Sequence, residues 1–193
     1  MLMGLAALAA IVVALCCGGS LRVLASVRFT GLWLMPLALV LQVIVVNVLP
    51  GLPQPIGATI HLLSYALAAL FLARNIAVPG ISLIAIGTGL NAVAITANRG
   101  VLPASPGALK AAGWDPASDG FANSSALTHP HLAVLGDNYV TPDWVPLANV
   151  FSLGDVIIAI GAVVFAYHAA RRTPRHRASR RVDFSNMRAW VGR

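Results

Sequence analysis

The feature that most constrains this chain is a succession of almost uncharged apolar stretches, at 2–17, 31–49, 57–73, 79–97 and 147–167. Most come close to the roughly 20 residues that cross a 30 Å hydrocarbon layer as a helix. The whole chain of 193 residues is 58% hydrophobic and 10% charged, against about 25% charged in an average soluble domain. A water-soluble fold so poor in charge would leave broad apolar patches in water. Lipid is therefore the expected solvent, and the expected fold class is an all-α integral membrane bundle of about five transmembrane helices. The stretch 2–17 has no basic residues before it and no small-residue cleavage site, while Arg22 and Arg28 follow it. That is the reverse of a signal peptide, so it reads as a retained helix. Cys16 and Cys17 are adjacent, which excludes a disulfide framework and leaves them as small apolar residues.

Charge placement sets the expected orientation. Arg22, Arg28, Arg74 and the residues after Ala170 carry most of the positive charge, whereas the segment 98–146 holds Asp115, Asp119, Asp137 and Asp143 against Arg99 and Lys110. The positive-inside rule then places the N-terminus outside, the C-terminus inside and the long segment 98–146 outside. That segment is rich in Pro, Gly, Ser and Asn and contains no run long enough to span. A connection of this length is usually functional or disordered.

The tail 171–193 follows directly on an apolar stretch, so anionic lipid is a nearer partner for it than nucleic acid. Arg171, Arg172, Arg175, Arg177, Arg180 and Arg181 form the lipid-contacting patch. Phe184, Met187 and Val191, with Trp190 beside them, fit a short amphipathic helix on the inner leaflet.

Polar side chains inside hydrocarbon are costly, so their positions carry information. Gln42 and Asn47 lie in the second stretch. His61 and Tyr65 are four residues apart in the third, on one helix face, with Ser64 beside them. Thr88, Asn91 and Asn98 share a face in the fourth, and Asn149, Ser152 and Asp155 form an expected stripe in the fifth. With the orientation above, His61, Asn91 and Asp155 fall in the outer half, beneath the long segment. Amides and hydroxyls at such places commonly bridge helices. Asp155 is an ionisable group in a span and so a functional candidate, with pairing to His61 or Asn91, or capping of the fifth helix, as its structural alternatives.

Several stretches together resemble an uncharacterised family of multipass membrane proteins found mainly in actinobacteria and other Gram-positive lineages. They are Gly19-Ser-Leu-Arg-Val-Leu24, His61-Leu-Leu-Ser-Tyr65, Gly89-Leu-Asn91, Asn98-Arg-Gly-Val-Leu-Pro103, Leu135-Gly-Asp137 and Val150-Phe-Ser-Leu-Gly-Asp155. The family usually has glycine where this chain has Arg99 and methionine where it has Leu102. The resemblance covers nearly the whole chain and implies a membrane fold, but no activity. A narrower likeness links the Asn149–Asp155 stretch to the Phe-Asn-x-Ala-Asp element of lipoprotein signal peptidases, which implies a two-aspartate site with Asp137 as partner. The Asn-x-x-Asp-Arg element of those enzymes is missing here.

No phosphate-cradling loop, Ser-x-x-Lys or His-Glu-x-x-His motif occurs, and no metal or cofactor is expected. Small residues at four-residue spacing, Ala6/Ala10/Ala14 and Ala162/Ala166/Ala170, suit close helix contact. The expected function is a non-catalytic accessory or scaffold subunit of a larger bacterial membrane complex, a transporter or respiratory assembly, with membrane lipids and other integral subunits as partners. The alternative is an enzyme or lipid-binding protein of the outer leaflet using Asp155, Asp137 and His61. Asn91, Asn98, Ser152 and Tyr65 are then the structural polar cluster.

Overall fold

The computed structural model describes residues 11–12, 15–16, 18–49, 52–115, 124–142 and 149–171. The expected helix 2–17 falls almost entirely outside them, as do Asp119, Asp143 and the tail beyond Arg171. The described chain is mostly helical: α1 (Leu21–Leu24), α2 (Leu34–Val43) running into a π-helical turn (Ile44–Val48), α3 (Gln54–Arg74), α4 (Ile81–Ala97), α5 (Pro106–Ala111) and α6 (Leu153–Ala170). Among the described residues α3 and α6 are long and apolar enough to cross a membrane, and Leu34–Val43 and Ile81–Ala97 are shorter apolar helices.

Local chemistry sets the helix ends. Gly31, at φ 71, turns the chain ahead of α2, so that helix starts after the turn rather than at residue 31. Pro55 sits in the first turn of α3, where its missing N–H is no loss. Pro79, expected in the first turn of α4, instead lies in the turn before it, and left-handed Gly80 (φ 87) becomes the N-cap. At the far end of α4, Arg99 N–H bonds Thr96 O at 3.3 Å and Gly100 N–H bonds Ile95 O at 2.8 Å, with Arg99 at φ 56. This is a Schellman ending whose left-handed position holds arginine instead of the usual glycine.

The helices pack antiparallel. Leu34 meets Phe71, Leu72 and Ile81 at one end, while Val45 meets Ala58 and Val101 at the other. The most extensive helix–helix contact is between α4 and α6. It is built on glycine pairs: Gly80 faces Gly161 and Gly87 faces Gly154, each so close that an added Cβ would strike the other backbone. The alanine stripe does something else, since Ala166 and Ala170 pack with Leu24 of α1; Ala6, Ala10 and Ala14 lie outside the described residues. Phe29 crosses the bundle end to touch Phe71 and Phe165.

The segment after α4 is a small folded layer with strands, a departure from an all-α reading. β1 (Leu102–Pro103) pairs in parallel with β2 (Ser124–Ser125), and β3 (Asp137–Val140) pairs antiparallel with β4 (Val150–Ser152). A bridge between Ala104 and Asp137 joins the two pairs. The layer has its own apolar core of Ala104, Ala108, Leu109, Ala112 and Val150, and it closes onto the bundle where Leu102 and Leu135 meet Ala94 and Ile95. Because Val150–Ser152 is a strand, α6 begins at Leu153 rather than 147 and runs on to Ala170. Asn149 consequently bonds Thr141 across the hairpin, Thr141 N–H to Asn149 O at 2.9 Å and Asn149 N–H to Thr141 Oγ1 at 3.0 Å. It shares no helical stripe with Asp155, because the hairpin satisfies backbone groups that a helix would otherwise have to pair.

Candidate functional site

The polar groups converge where β4 turns into α6 against α4. Ser152 ends the strand and caps the helix: its Oγ accepts from Asp155 N–H at 3.0 Å, and Asp155 Oδ2 accepts from Ser152 N–H at 3.1 Å. Ser-x-x-Asp thus forms a reciprocal capping box, with the acidic group at the end of the helix that favours negative charge. Asn91 of α4 closes the ring. Ser152 Oγ donates to Asn91 Oδ1 at 2.9 Å, and Asn91 Nδ2 donates to Asp155 Oδ1 at 2.9 Å. Each carboxylate oxygen of Asp155 therefore already accepts a bond, and Ser152 and Asn91 are buried around it. The ring fits only because Gly154 has no side chain: a Cβ there would lie 2.0 Å from Asn91 Oδ1.

Asp137 lies at the same junction, in register opposite Ser152. It is buried, and Ser124 Oγ donates to its Oδ2 at 2.6 Å. Among the described residues its Oδ1 has no hydrogen-bond partner. Burial pushes the Asp137 carboxyl up to about 6; the Ser124 bond pulls it down and the charge of Asp155 adds a smaller push upward. The two aspartates proposed as a catalytic pair are thus neighbours through Ser152, but they differ in bonding: the Asp155 side chain accepts two hydrogen bonds, one on each oxygen, and that of Asp137 accepts one.

His61 is fully buried on α3, its Nδ1 2.7 Å from Gly100 O. A carbonyl oxygen only accepts, so Nδ1 carries the hydrogen. Ser64 Oγ donates back to His61 O at 2.6 Å, and Tyr65 meets the His61 ring edge-to-face at 5.3 Å. Gly100 (φ 94) sits so close to Ala58 that no side chain would fit, which brings its carbonyl within reach of His61. This pair ties α3 to the start of the loop layer.

Asn98 holds the layer further along. Its Nδ2 donates to Ala94 O at 2.7 Å and His131 O at 2.8 Å, while its Oδ1 accepts from His131 N–H at 2.8 Å. One side chain thus imitates a strand neighbour for His131 and caps α4. Asn98→Ala is expected to lose about 2 kcal/mol of stability and to speed amide exchange in 131–137 selectively, as read by hydrogen–deuterium exchange. The sequence reading passed over its counterpart, Asn75. At the C-cap of α3, Asn75 bonds Phe71 O (2.7 Å), Thr30 O (2.9 Å) and Thr30 N–H (2.8 Å) in the same pattern at the opposite end of the bundle. The signal was available: both asparagines directly follow the last helical residue.

In the tail, Arg171 stacks 4.9 Å from the Tyr167 ring centroid and donates to its hydroxyl. Arg172, Arg175, Arg177, Arg180, Arg181 and Trp190 lie outside the described residues. Among the described residues no three His, Cys, Asp or Glu side chains gather as a metal would need, so the groups at hand are carboxylate, amide, imidazole and hydroxyl.

The architecture is that of a mostly helical protein with apolar helices and a small strand-bearing layer sealed to one end by polar side chains. The chain belongs to DUF5317, a family of unknown function, whose pattern matches residues 26–167 and so takes in every site residue above except those of the tail. No curated protein and no solved structure matches it.

Proposed function

We propose that this chain is a five-span protein of a bacterial cytoplasmic membrane, N-out and C-in, and that it serves as a non-catalytic accessory or scaffold subunit of a larger transporter or respiratory assembly. The motif resemblance supports an actinobacterial or related Gram-positive source. Support for the membrane comes from burial: only 33% of the most apolar window of α3 and 28% of that of α6 is buried. A core helix of a soluble protein would be mostly covered. Leu63, Leu70, Val93 and Ile160 are instead exposed, as lipid contact requires. Support for the orientation comes from the antiparallel packing, which gathers Arg22, Arg28, Arg74 and Arg171 at one end and leaves Asp137 and Asp155 at the other.

The observation that carries the scaffold reading is the closed ring of Ser152, Asn91 and Asp155. The ionisable group that most invites a catalytic assignment is consumed in holding two helices together. Native mass spectrometry of the complex extracted from membranes should recover the chain with a stoichiometric integral partner; migration alone would sink the reading. An outer-leaflet hydrolase using Asp155, Asp137 and His61 draws on one observation, the underbonded buried carboxyl of Asp137. Asp137→Asn separates the two, since the scaffold should keep its partner while a hydrolase should lose its activity.

A further inference from the structure

Between them, α3 and α4 leave an open groove of about 360 Å³, within the roughly 300–1,000 Å³ of small-molecule sites. Ala69, Ala73, Ala85 and Gly89 line it together with the larger Leu72 and Ile76, and Tyr65 and Thr88 are its hydroxyl-bearing members. Those hydroxyls stand out. In this same protein Thr59 and Thr96 bond back to the carbonyls of Pro55 and Ala92, each at 2.7 Å. Thr88 makes no such bond, and among the described residues neither its hydroxyl nor that of Tyr65 has a hydrogen-bond partner. A hydroxyl facing hydrocarbon without a partner is costly.

We propose that this groove binds an isoprenoid quinone, a flat neutral ring bearing carbonyl acceptors on an apolar tail. The inference rests on the spanning reading above, because depth decides between ligands. At 1.5 Å per residue Tyr65 stands about 16 Å along α3 from Gln54 and about 14 Å from Arg74. Thr88 stands about 10 Å from Ile81 and about 14 Å from Ala97. Both donors are therefore near mid-membrane. The ester carbonyls of a phospholipid lie at the edge of the hydrocarbon, about 15 Å from the midplane, and cannot reach donors there. A neutral ring within the hydrocarbon can. Alanine and glycine make up most of the walls, with Leu72 and Ile76 beside them, and leave an apolar slot along the two helices.

The test uses the full chain in lipid nanodiscs, titrated with a naphthoquinone carrying two isoprene units. Saturable binding is expected, weakened about fivefold to tenfold by Tyr65→Phe and by Thr88→Val, each losing one hydrogen bond, and abolished by Ala73→Phe, which fills the slot. Thermal unfolding without ligand checks that each variant is folded; should Tyr65→Phe fail there, Thr88→Val and Ala73→Phe carry the test. Binding by the Tyr65→Phe/Thr88→Val double variant as tight as that of the unaltered protein overturns the proposal. So does equal displacement by a diacyl phosphatidylglycerol. Release of the protein from membranes by an alkaline wash overturns the spanning reading and this proposal together.

Discussion

Gly154→Ala should lower stability by about 3 kcal/mol or more, at the top of the range for an overpacked contact. The added methyl lands on Asn91 Oδ1 and lies 2.7 Å from Gly87 O. Backbone cannot retreat as a flexible side-chain end can, so α4 and α6 must separate. Separation stretches Asn91 to Asp155 and Ser152 to Asn91, both now at 2.9 Å. Close backbone packing and these bonds together join the two helices at this point. Ala162→Gly offers a comparison on the same helix at a site free of this backbone approach, and should cost about 1 kcal/mol by helix propensity. Unfolding of the purified protein in detergent, followed by circular dichroism, gives both values. An equal loss for the two variants would remove the glycine pairs from their assigned role.

The second large effect is a pH dependence set by Asp137. Its carboxyl titrates near 6 in the folded chain against the ordinary 3.8, a gap that corresponds to about 2–3 kcal/mol. The folded state holds the proton more tightly. Below pH 4 the group is protonated in both states and its contribution is fully present. Between about pH 4 and 6 the unfolded chain ionises first and stability falls, levelling above the folded value. Asp137→Asn keeps an acceptor for Ser124 while removing the charge. The variant should therefore unfold later than the unaltered protein at pH 7.5, by about 2 kcal/mol, and the difference should vanish near pH 4. A difference independent of pH would show that the carboxyl does not titrate in this window. The same measurement bears on the hydrolase reading, since a carboxyl whose pKa is raised toward neutrality suits acid–base work.

Much of the site was legible because its signals are local. Ser152-Leu-Gly-Asp155 is a capping box by residue type and spacing alone, and Asn98 ahead of Arg99-Gly100 marks a helix end. What misled was periodicity: Asn149, Ser152 and Asp155 satisfy helical spacing, yet Asn149 precedes and Ser152 ends a strand whose partner lies at 137–140. That partner lies across a hairpin, beyond the few residues over which helical spacing is read. Small residues every four positions, Ala162, Ala166 and Ala170, suggest a close helix contact on α6. The α4–α6 contact uses glycines seven apart on each helix, because antiparallel neighbours return to the same line of contact every two turns.

By itself, then, the sequence pointed to the apolar helices and to most of their ends. Charge-poor apolar runs, proline and glycine at their ends and arginine beyond them act through the nearest residues and the surrounding medium, and need no knowledge of the fold. The tertiary structure decided which partners met. Asp155 answers to Asn91 rather than His61, His61 to Gly100, and Asp137 to Ser124. Those choices depend on how closely two backbones approach, at Gly87 against Gly154 and at Gly100 against Ala58. That distance is a property of packed helices, absent from either strand of text alone.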